Sequence, residues 1–490
     1  MGPREKGETE IEQPRRFGIR AAGAAALWSV GNAAVGQVVA LLAFLVTARL
    51  ISPAAFGLVA IATLSVEVVK RLFLDSVATR LMARNRPESG DFDDCFMAIV
   101  TLAIAGTLLL FILSWPLAWL IGEPKLTPIL QLMCLMLLGI GLFRTHEVLF
   151  AKRLQFKQLA VRQALAAMGG GATGVTLALL GFGVWALVAQ QLVATGVALV
   201  STYLFSDWRP RLRFSPLRAW RKLLDARQLI VTNSTYFVSA ETDLFFLTSA
   251  LGAGVGGIYS AAKRLILAAT LVLVNSLGNM VLTAYARGSE SPRAYELFLG
   301  SLTVKALLLT PLFLGLSVLG TDLVTFLLGP PWTSSGAILS ILALAALAQG
   351  LTSLIINYLL AGGADRIITL VITTGAVITL IVLAIVAPLG AAATACAVTT
   401  ITWLSLLVFC GIAVRKGGGS PGDLVSAFWL PAVGATGLVA MAELLAAVWS
   451  PSYRLLAWPP LLLAAYASTV GLLGIGKLKA LRATFKLAGE

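Results

Sequence analysis

The sequence predicts an all-α polytopic membrane protein of about 14 transmembrane helices. Three observations predict it: an apolar composition, apolar runs of spanning length almost end to end, and a one-sided distribution of basic residues. Of the 490 residues, 58% are hydrophobic and 12% charged, and mean hydropathy is +0.90. A soluble chain is roughly 45–50% apolar and about 25% charged, and no water-soluble fold hides the excess. A spanning helix needs about 20 mainly apolar residues to cross a core of about 30 Å. Runs bounded by Gly, Pro and charge clusters give such spans near 21–48, 53–79, 94–121, 128–150, 163–181 and 184–205. After a polar linker at 206–228 come 229–250, 255–285, 295–320, 335–361, 367–387, 390–413, 424–448 and 455–476.

An even number of spans puts both termini on one side of the membrane. Of the 37 Lys and Arg residues, 28 fall on the N-terminal side, 3 (Arg49, Lys125, Arg454) on the other and 6 inside spans. The positive-inside rule makes both termini cytoplasmic, with tails at 1–20 and 477–490. Trp115, Trp119, Trp332, Trp449 and Trp458 near outer ends, and Trp208 and Trp220 near the inner surface, agree with this placement. The net charge of +14 is therefore loop charge, and nucleic acid is not an expected partner. The run from Arg209 to Arg227 reads either as an interfacial amphipathic stretch on anionic lipid or as a topology signal. Arg15-Arg16-Phe17 has the look of a twin-arginine export signal, but the long run and many later spans favour a cytoplasmic tail before a retained first helix.

The chain offers little to catalysis. Cys95, Cys134, Cys396 and Cys410 lie in apolar stretches without C-x-x-C spacing, and His146 is the sole histidine, so disulfide, zinc and haem readings fail. Gly169-Gly-Gly171 lies in an apolar helix and lacks the Lys-Ser/Thr of a phosphate loop. No G-x-S-x-G with a triad context appears, so neither enzyme activity nor a cofactor is expected. The longest outer connection, 321–334, is short for a sugar polymerase.

The halves resemble each other. Ile51-Ser-Pro-Ala-Ala-Phe-Gly57-Leu-Val-Ala-Ile-Ala62 matches Leu251-Gly-Ala-Gly-Val-Gly-Gly257-Ile-Tyr-Ser-Ala-Ala262 at a shift of 200, and one gap further back Asn32 falls opposite Asn233. Gly181-Phe-Gly183-Val-Trp-Ala186 pairs with Leu389-Gly390-Ala-Ala-Ala393, each a turn between the fifth and sixth helices of its half. Six helices separate the copies, so both run the same way and form parallel repeats about an axis along the membrane normal. The expectation is an N-lobe at 21–205, a C-lobe at 229–413, a central cavity between them, and an additional helix pair at 424–476.

Three connections carry a family resemblance: Leu50-Ile-Ser-Pro-Ala-Ala-Phe-Gly57, Phe150-Ala-Lys-Arg-Leu-Gln-Phe-Lys-Gln-Leu159 and Leu180-Gly-Phe-Gly-Val-Trp-Ala-Leu187. They resemble the polysaccharide transporter branch of the multidrug/oligosaccharidyl-lipid/polysaccharide exporter superfamily, over about residues 20–413. The resemblance implies a flippase that moves undecaprenyl-diphosphate-linked oligosaccharide units across a bacterial inner membrane by alternating access, for O-antigen, capsule or exopolysaccharide. It implies the lipid-linked oligosaccharide and membrane lipids as partners, with a polysaccharide polymerase and chain-length regulator as companions. Alternatives are a peptidoglycan lipid-precursor flippase, a membrane polymerase or ligase, and a drug/cation antiporter.

Charges at depth must be accounted for, because each costs about 2.5–3.5 kcal/mol on insertion scales and faces the bundle interior or a wet cavity. Glu67, Lys70, Arg71 and Asp75 share a helical face by spacing. Glu241 and Asp243 lie midway along the seventh span, Lys263 and Arg264 in the eighth and Lys305 in the ninth. On the implied function, Lys70, Arg71, Lys263, Arg264 and Lys305 bind the diphosphate, while Glu241 and Asp243 are candidates for cation or proton coupling. The alternative is that these acids and bases fasten helices to one another, with Glu67 expected as partner of Arg71 and Glu241 of Arg264. Arg144-Thr-His146-Glu147 ends the fourth span, where His146 and Glu147 are candidates for a proton relay or an interface-anchored polar end.

Overall fold

The computed structural model describes residues 36–84, 89–211, 216–286, 292–448 and 458–474, and among these it contains helices and connections and no strand. The helices are α1 (Gly36–Leu50), α2 (Pro53–Val69), α3 (Ser76–Ala83), α4 (Ser89–Ile121), α5 (Leu126–Met133), α6 (Leu135–Lys152), α7 (Phe156–Leu179) and α8 (Val184–Phe205). There follow α9 (Pro216–Asp225), α10 (Arg227–Leu251), α11 (Ala253–Ala286), α12 (Pro292–Leu328), α13 (Thr333–Ala361), α14 (Asp365–Val386), α15 (Ala391–Gly417), α16 (Pro421–Val448) and α17 (Trp458–Gly474). A π-helical turn, Lys70–Asp75, joins α2 to α3 without a break. Over the described residues, each expected apolar run falls on a helix or on abutting helices, and the linker adds α9. Both expected tails, residues 21–35 with Asn32, and Trp449 and Arg454 lie outside the described residues.

Eight described segments are long and apolar enough to cross a membrane, and α1 and α17 are shorter apolar helices. The helices α2, α10 and α11 are not among the eight. They carry Glu67, Glu241, Asp243, Lys263 and Arg264.

Three apolar clusters hold the bundle together. The largest joins α2, α4, α5, α6 and α11, a second joins α12, α13 and α15, and a third fastens α16 and α17 to α12 through Leu319, Leu438, Leu462 and Tyr466. Between membrane helices tight packing relies on small residues that let backbones approach. The run Gly169-Gly-Gly171 serves that end: a Cβ on Gly170 would lie 2.7 Å from the Gln190 carbonyl oxygen on α8.

The repeat detected in the sequence meets itself. A Cβ on Gly57 would sit 1.8 Å from the Ala253 carbonyl oxygen, and one on Gly257 would sit 1.8 Å from the Pro53 carbonyl oxygen. Positions related by the shift of 200 thus exchange identical contacts, as an isologous twofold contact requires. Beyond this crossing α2 and α11 advance together, because residues 60–71 and 260–270 line one cavity. The register extends to α1 and α10 one residue out of step. Thr47 and Thr248 are both fully buried and bond back to the carbonyls of Ala43 and Leu244 at 2.8 Å. The second sequence match is also structural, since Gly183 (φ 56°) and Gly390 (φ 127°) stand at the N-caps of α8 and α15 with a backbone only glycine adopts easily.

At the crossing end, Arg49 closes α1 by donating from Nε to the Leu327 carbonyl (2.8 Å) and from Nη2 to that of Phe326 (2.5 Å), two of the free carbonyls ending α12. Trp332, 1% exposed, donates its indole N–H to the Ala48 carbonyl at 2.8 Å and packs edge-on against Phe56.

Candidate functional site: a charged cavity between α2 and α11

Beyond the crossing lies a cavity of about 420 Å³, walled by α2, the π turn, α10, α11, α13 and α15. Both members of several register-related pairs line it: Ala60 and Ser260, Thr63 and Lys263, Leu64 and Arg264, Glu67 and Leu267. Chemistry differs between the copies at each of the last three pairs, so a symmetric frame carries an asymmetric lining.

Of the residues singled out in the sequence, Arg71, Lys263, Arg264, Glu241 and Asp243 line the cavity, and Glu67 joins them. Lys70, Lys305, His146 and Glu147 are not in its wall. Lys70 turns to Glu67 on its own helix (Nζ to Oε1, 2.5 Å). Lys305, 2% exposed, lies between α12 and α13 and donates to Ser353 Oγ at 2.9 Å. The lining therefore holds three bases, Arg71, Lys263 and Arg264, and three acids, Glu67, Glu241 and Asp243.

The charges are not evenly matched in space. Lys263 Nζ is held by Glu241 Oε2 at 3.1 Å and Asp243 Oδ1 at 2.9 Å. Asp243, 5% exposed, also accepts the Tyr259 hydroxyl at 2.7 Å and the Leu244 backbone N–H at 2.8 Å. Glu67 is shared by Lys70 and Arg71, whose Nε lies 3.2 Å away. Arg264 has no carboxylate within ion-pair distance among the described residues; its guanidinium lies over the rings of Phe44 (5.4 Å) and Phe56 (5.8 Å). The expected Arg71 to Glu67 pair is present, whereas Glu241 pairs with Lys263 and not Arg264. Positive charge free to meet an anion is concentrated at Arg264.

The face expected to carry Glu67, Lys70, Arg71 and Asp75 does not persist. The π turn holds an extra residue per turn, and it carries Asp75 to α6, where Arg144 Nε lies 2.9 Å from its Oδ1. Arg144 also reaches Glu147 (2.5 Å), which is paired in turn with Arg162 on α7. Glu147 is thus a member of a four-residue chain joining three helices. His146 is fully buried on another side, among Phe96, Tyr203 and Trp208, with Nδ1 2.9 Å from Ser206 Oγ. Among the described residues the two neighbours share no hydrogen bond.

Sequence reasoning missed Asn233. From α10 its Nδ2 donates to Ser76 Oγ (2.9 Å) and to the Arg71 carbonyl (3.3 Å), a carbonyl in the π turn that Ser76 Oγ also approaches at 3.2 Å. This hook ties the second half to the first at the end of the cavity away from the Gly57 crossing. Its only signal in the sequence was the pairing with Asn32.

Among the described residues, a helical bundle with eight segments able to cross a membrane, two helices crossing at small residues and a charged internal cavity define a multi-pass membrane protein. A solved structure of lipid II flippase MurJ in an inward closed conformation superposes with a TM-score of 0.72 at 12% identity, covering 93% of this chain and 99% of that one. An inward-facing multidrug resistance MATE family transporter of the MOP superfamily superposes at 0.54 and 17% identity, covering 80% and 94%. The chain belongs to the polysaccharide biosynthesis protein family, which matches residues 46–337, more than half of it. It is 28% identical over 340 residues to the succinoglycan biosynthesis transport protein ExoT of Rhizobium meliloti (strain 1021), covering 68% of this chain and 69% of that protein. It is 22% identical over 323 residues to the lipopolysaccharide biosynthesis protein WzxC of Escherichia coli (strain K12), covering 64% and 65%.

Proposed function

We propose that the protein is a flippase for polyprenyl-diphosphate-linked oligosaccharide repeat units in polysaccharide biosynthesis, working by alternating access at a bacterial inner membrane. It would cross the membrane fourteen times with both termini cytoplasmic, as an N-lobe of residues 21–205, a C-lobe of 229–413 and an additional helix pair of 424–476. The reading is supported by the family membership and by the transport and polysaccharide roles in its relatives' names. The observation that carries it is Arg264, a cation with no carboxylate at ion-pair distance among the described residues, which lines the cavity together with Arg71. A guanidinium meets phosphate oxygens through a planar fork of N–H donors, while the lining's small and apolar residues leave room for a sugar. The contacts at the two ends of the cavity, Arg49 and Trp332 at one and Asn233 at the other, are then the gates, periplasmic and cytoplasmic respectively. A polymerase and a chain-length regulator would take the product at the far side.

The experiment is translocation of a defined lipid-linked oligosaccharide in proteoliposomes, read by accessibility of its sugar to an impermeant lectin or glycosidase. Sugar should appear on the far leaflet without ATP. Transport of organic cations with no movement of the glycolipid would overturn the reading.

A further inference from the structure

The acids Glu241 and Asp243 are two residues apart on α10, a spacing that does not ordinarily share a helical face, yet both converge on the single nitrogen of Lys263. Asp243 accepts from that ammonium, the Tyr259 hydroxyl and a backbone N–H. Two carboxylates from α10 meet at one positive charge, and a hydroxyl from α11 braces the other oxygen of Asp243, an oxygen-rich setting that would also suit a small hard cation.

The two halves differ here as a set. At the register of 200, Thr63 stands where Lys263 does; at the register of 201 set by Thr47 and Thr248, Ala40 and Leu42 stand where Glu241 and Asp243 do. The half without the lysine lacks both acids.

We propose that the Lys263 ammonium is the resident cation of an ion site formed by Glu241, Asp243 and Tyr259, a covalently tethered counterpart of a soluble alkali-metal ion. A tethered charge is present at a fixed effective concentration whatever the medium holds. The acids are therefore never left as uncompensated buried charge, which would be strongly destabilising. The transporter on this account needs no external alkali cation at this position. This deepens the transport reading and rests on it only for the transport measurement; the binding measurement stands without it.

The test replaces the tether. Purified wild-type protein should show the same thermal midpoint in Na⁺, Li⁺ and choline at constant ionic strength. Lys263→Met vacates the site, so its midpoint should be lowered in choline and rise by several degrees, saturably, with Na⁺. That rise should disappear in Lys263→Met with Asp243→Asn. Should Lys263→Met fail to fold, Lys263→Cys in a background lacking the four native cysteines is alkylated with 2-bromoethylamine, which rebuilds an ammonium of lysine length. Na⁺ stabilisation should be present before alkylation and absent after it. Glycolipid transport by Lys263→Met should acquire the same Na⁺ dependence. Saturable Na⁺ stabilisation of the wild type that Asp243→Asn removes would overturn the proposal, as would variants that respond equally to Na⁺ and choline. A failure of transport in all proteins together with the predicted Na⁺ stabilisation would count against the flippase reading and leave the resident cation standing.

Discussion

Lys263 and Arg264 are neighbours about 100° apart round α11, and that single step divides their surroundings. Lys263 is taken up by two acids, while Arg264 lies against the faces of Phe44 and Phe56. Arg264→Ala is expected to cut glycolipid translocation by about ten- to a hundredfold, the range of about 1.5–3 kcal/mol for a hydrogen bond to a charged group. Arg264→Lys should also fall several-fold, since a point charge lacks the fork. Both are measured in proteoliposomes normalised to folded protein, and wild-type rates for both would remove Arg264 from the site. Arg71 offers the contrasting case, because Glu67 already holds it. If the pair only fastens the helix, Arg71→Ala costs little transport, because Lys70 still holds Glu67; if Arg71 meets substrate, transport falls about tenfold or more at unchanged yield of folded protein. The sequence made these residues visible because charge in an apolar helix is conspicuous. Their partners were less visible, since the choice between Lys263 and Arg264 for Glu241 depends on how two helices are rotated about their axes, which no single-helix periodicity records.

The π turn at Lys70–Asp75 is the element whose consequences were least legible. Nothing in Lys-Arg-Leu-Phe-Leu-Asp distinguishes it from an ordinary helical stretch, yet it redirects Asp75 to Arg144 and leaves the Arg71 carbonyl to Asn233. Asn233→Ala removes a cross-half bond of roughly 0.5–1.5 kcal/mol, enough to shift a gate equilibrium about two- to tenfold. With a cysteine at Ser260 in a cysteine-free background, Asn233→Ala should raise thiol labelling from the cytoplasmic side by that factor. Arg49→Ala should raise it from the periplasmic side instead; unchanged labelling in both would deny the contacts a gating role. The glycine crossing was the most legible element, because Gly57 and Gly257 occupied one place in the repeat. Gly57→Ala and Gly257→Ala must each separate two backbones, and both should lower the thermal midpoint by similar amounts, at least the about 1–3 kcal/mol usual for overpacking. Unequal losses would contradict the reciprocity of the contact.

At the scale of the molecule, hydropathy made the helical bundle readable over the described residues, because the bilayer demands a long apolar run for each crossing. The sidedness of that bundle rests on the distribution of basic residues alone. Cysteine at Asp207 and at Ser334, both exposed, should react with an impermeant thiol reagent from opposite faces, the second from outside intact cells. Labelling of both from one face would break the proposed count of crossings between them. The pairing of lobes was readable at the connections and not within the helices, since small and apolar residues recur everywhere in such a chain and only turns and crossings constrain them to particular places.

The crossing of α2 and α11 has a mechanical corollary. Gly57 is 4 residues from the start of α2 and 14 from Arg71, so the crossing is a fulcrum with arms of about 6 Å and about 21 Å at 1.5 Å per residue. A scissoring of about 10° would part the long arms by about 4 Å near the Asn233 hook and move the short arms by about 1 Å. One end of the cavity can therefore open by leverage with the glycine contact intact. The other can open only if the fulcrum itself comes apart, together with the Arg49 and Trp332 bonds. A covalent cross-link at the crossing would then leave the protein able to admit a ligand from one side of the membrane and unable to discharge it on the other.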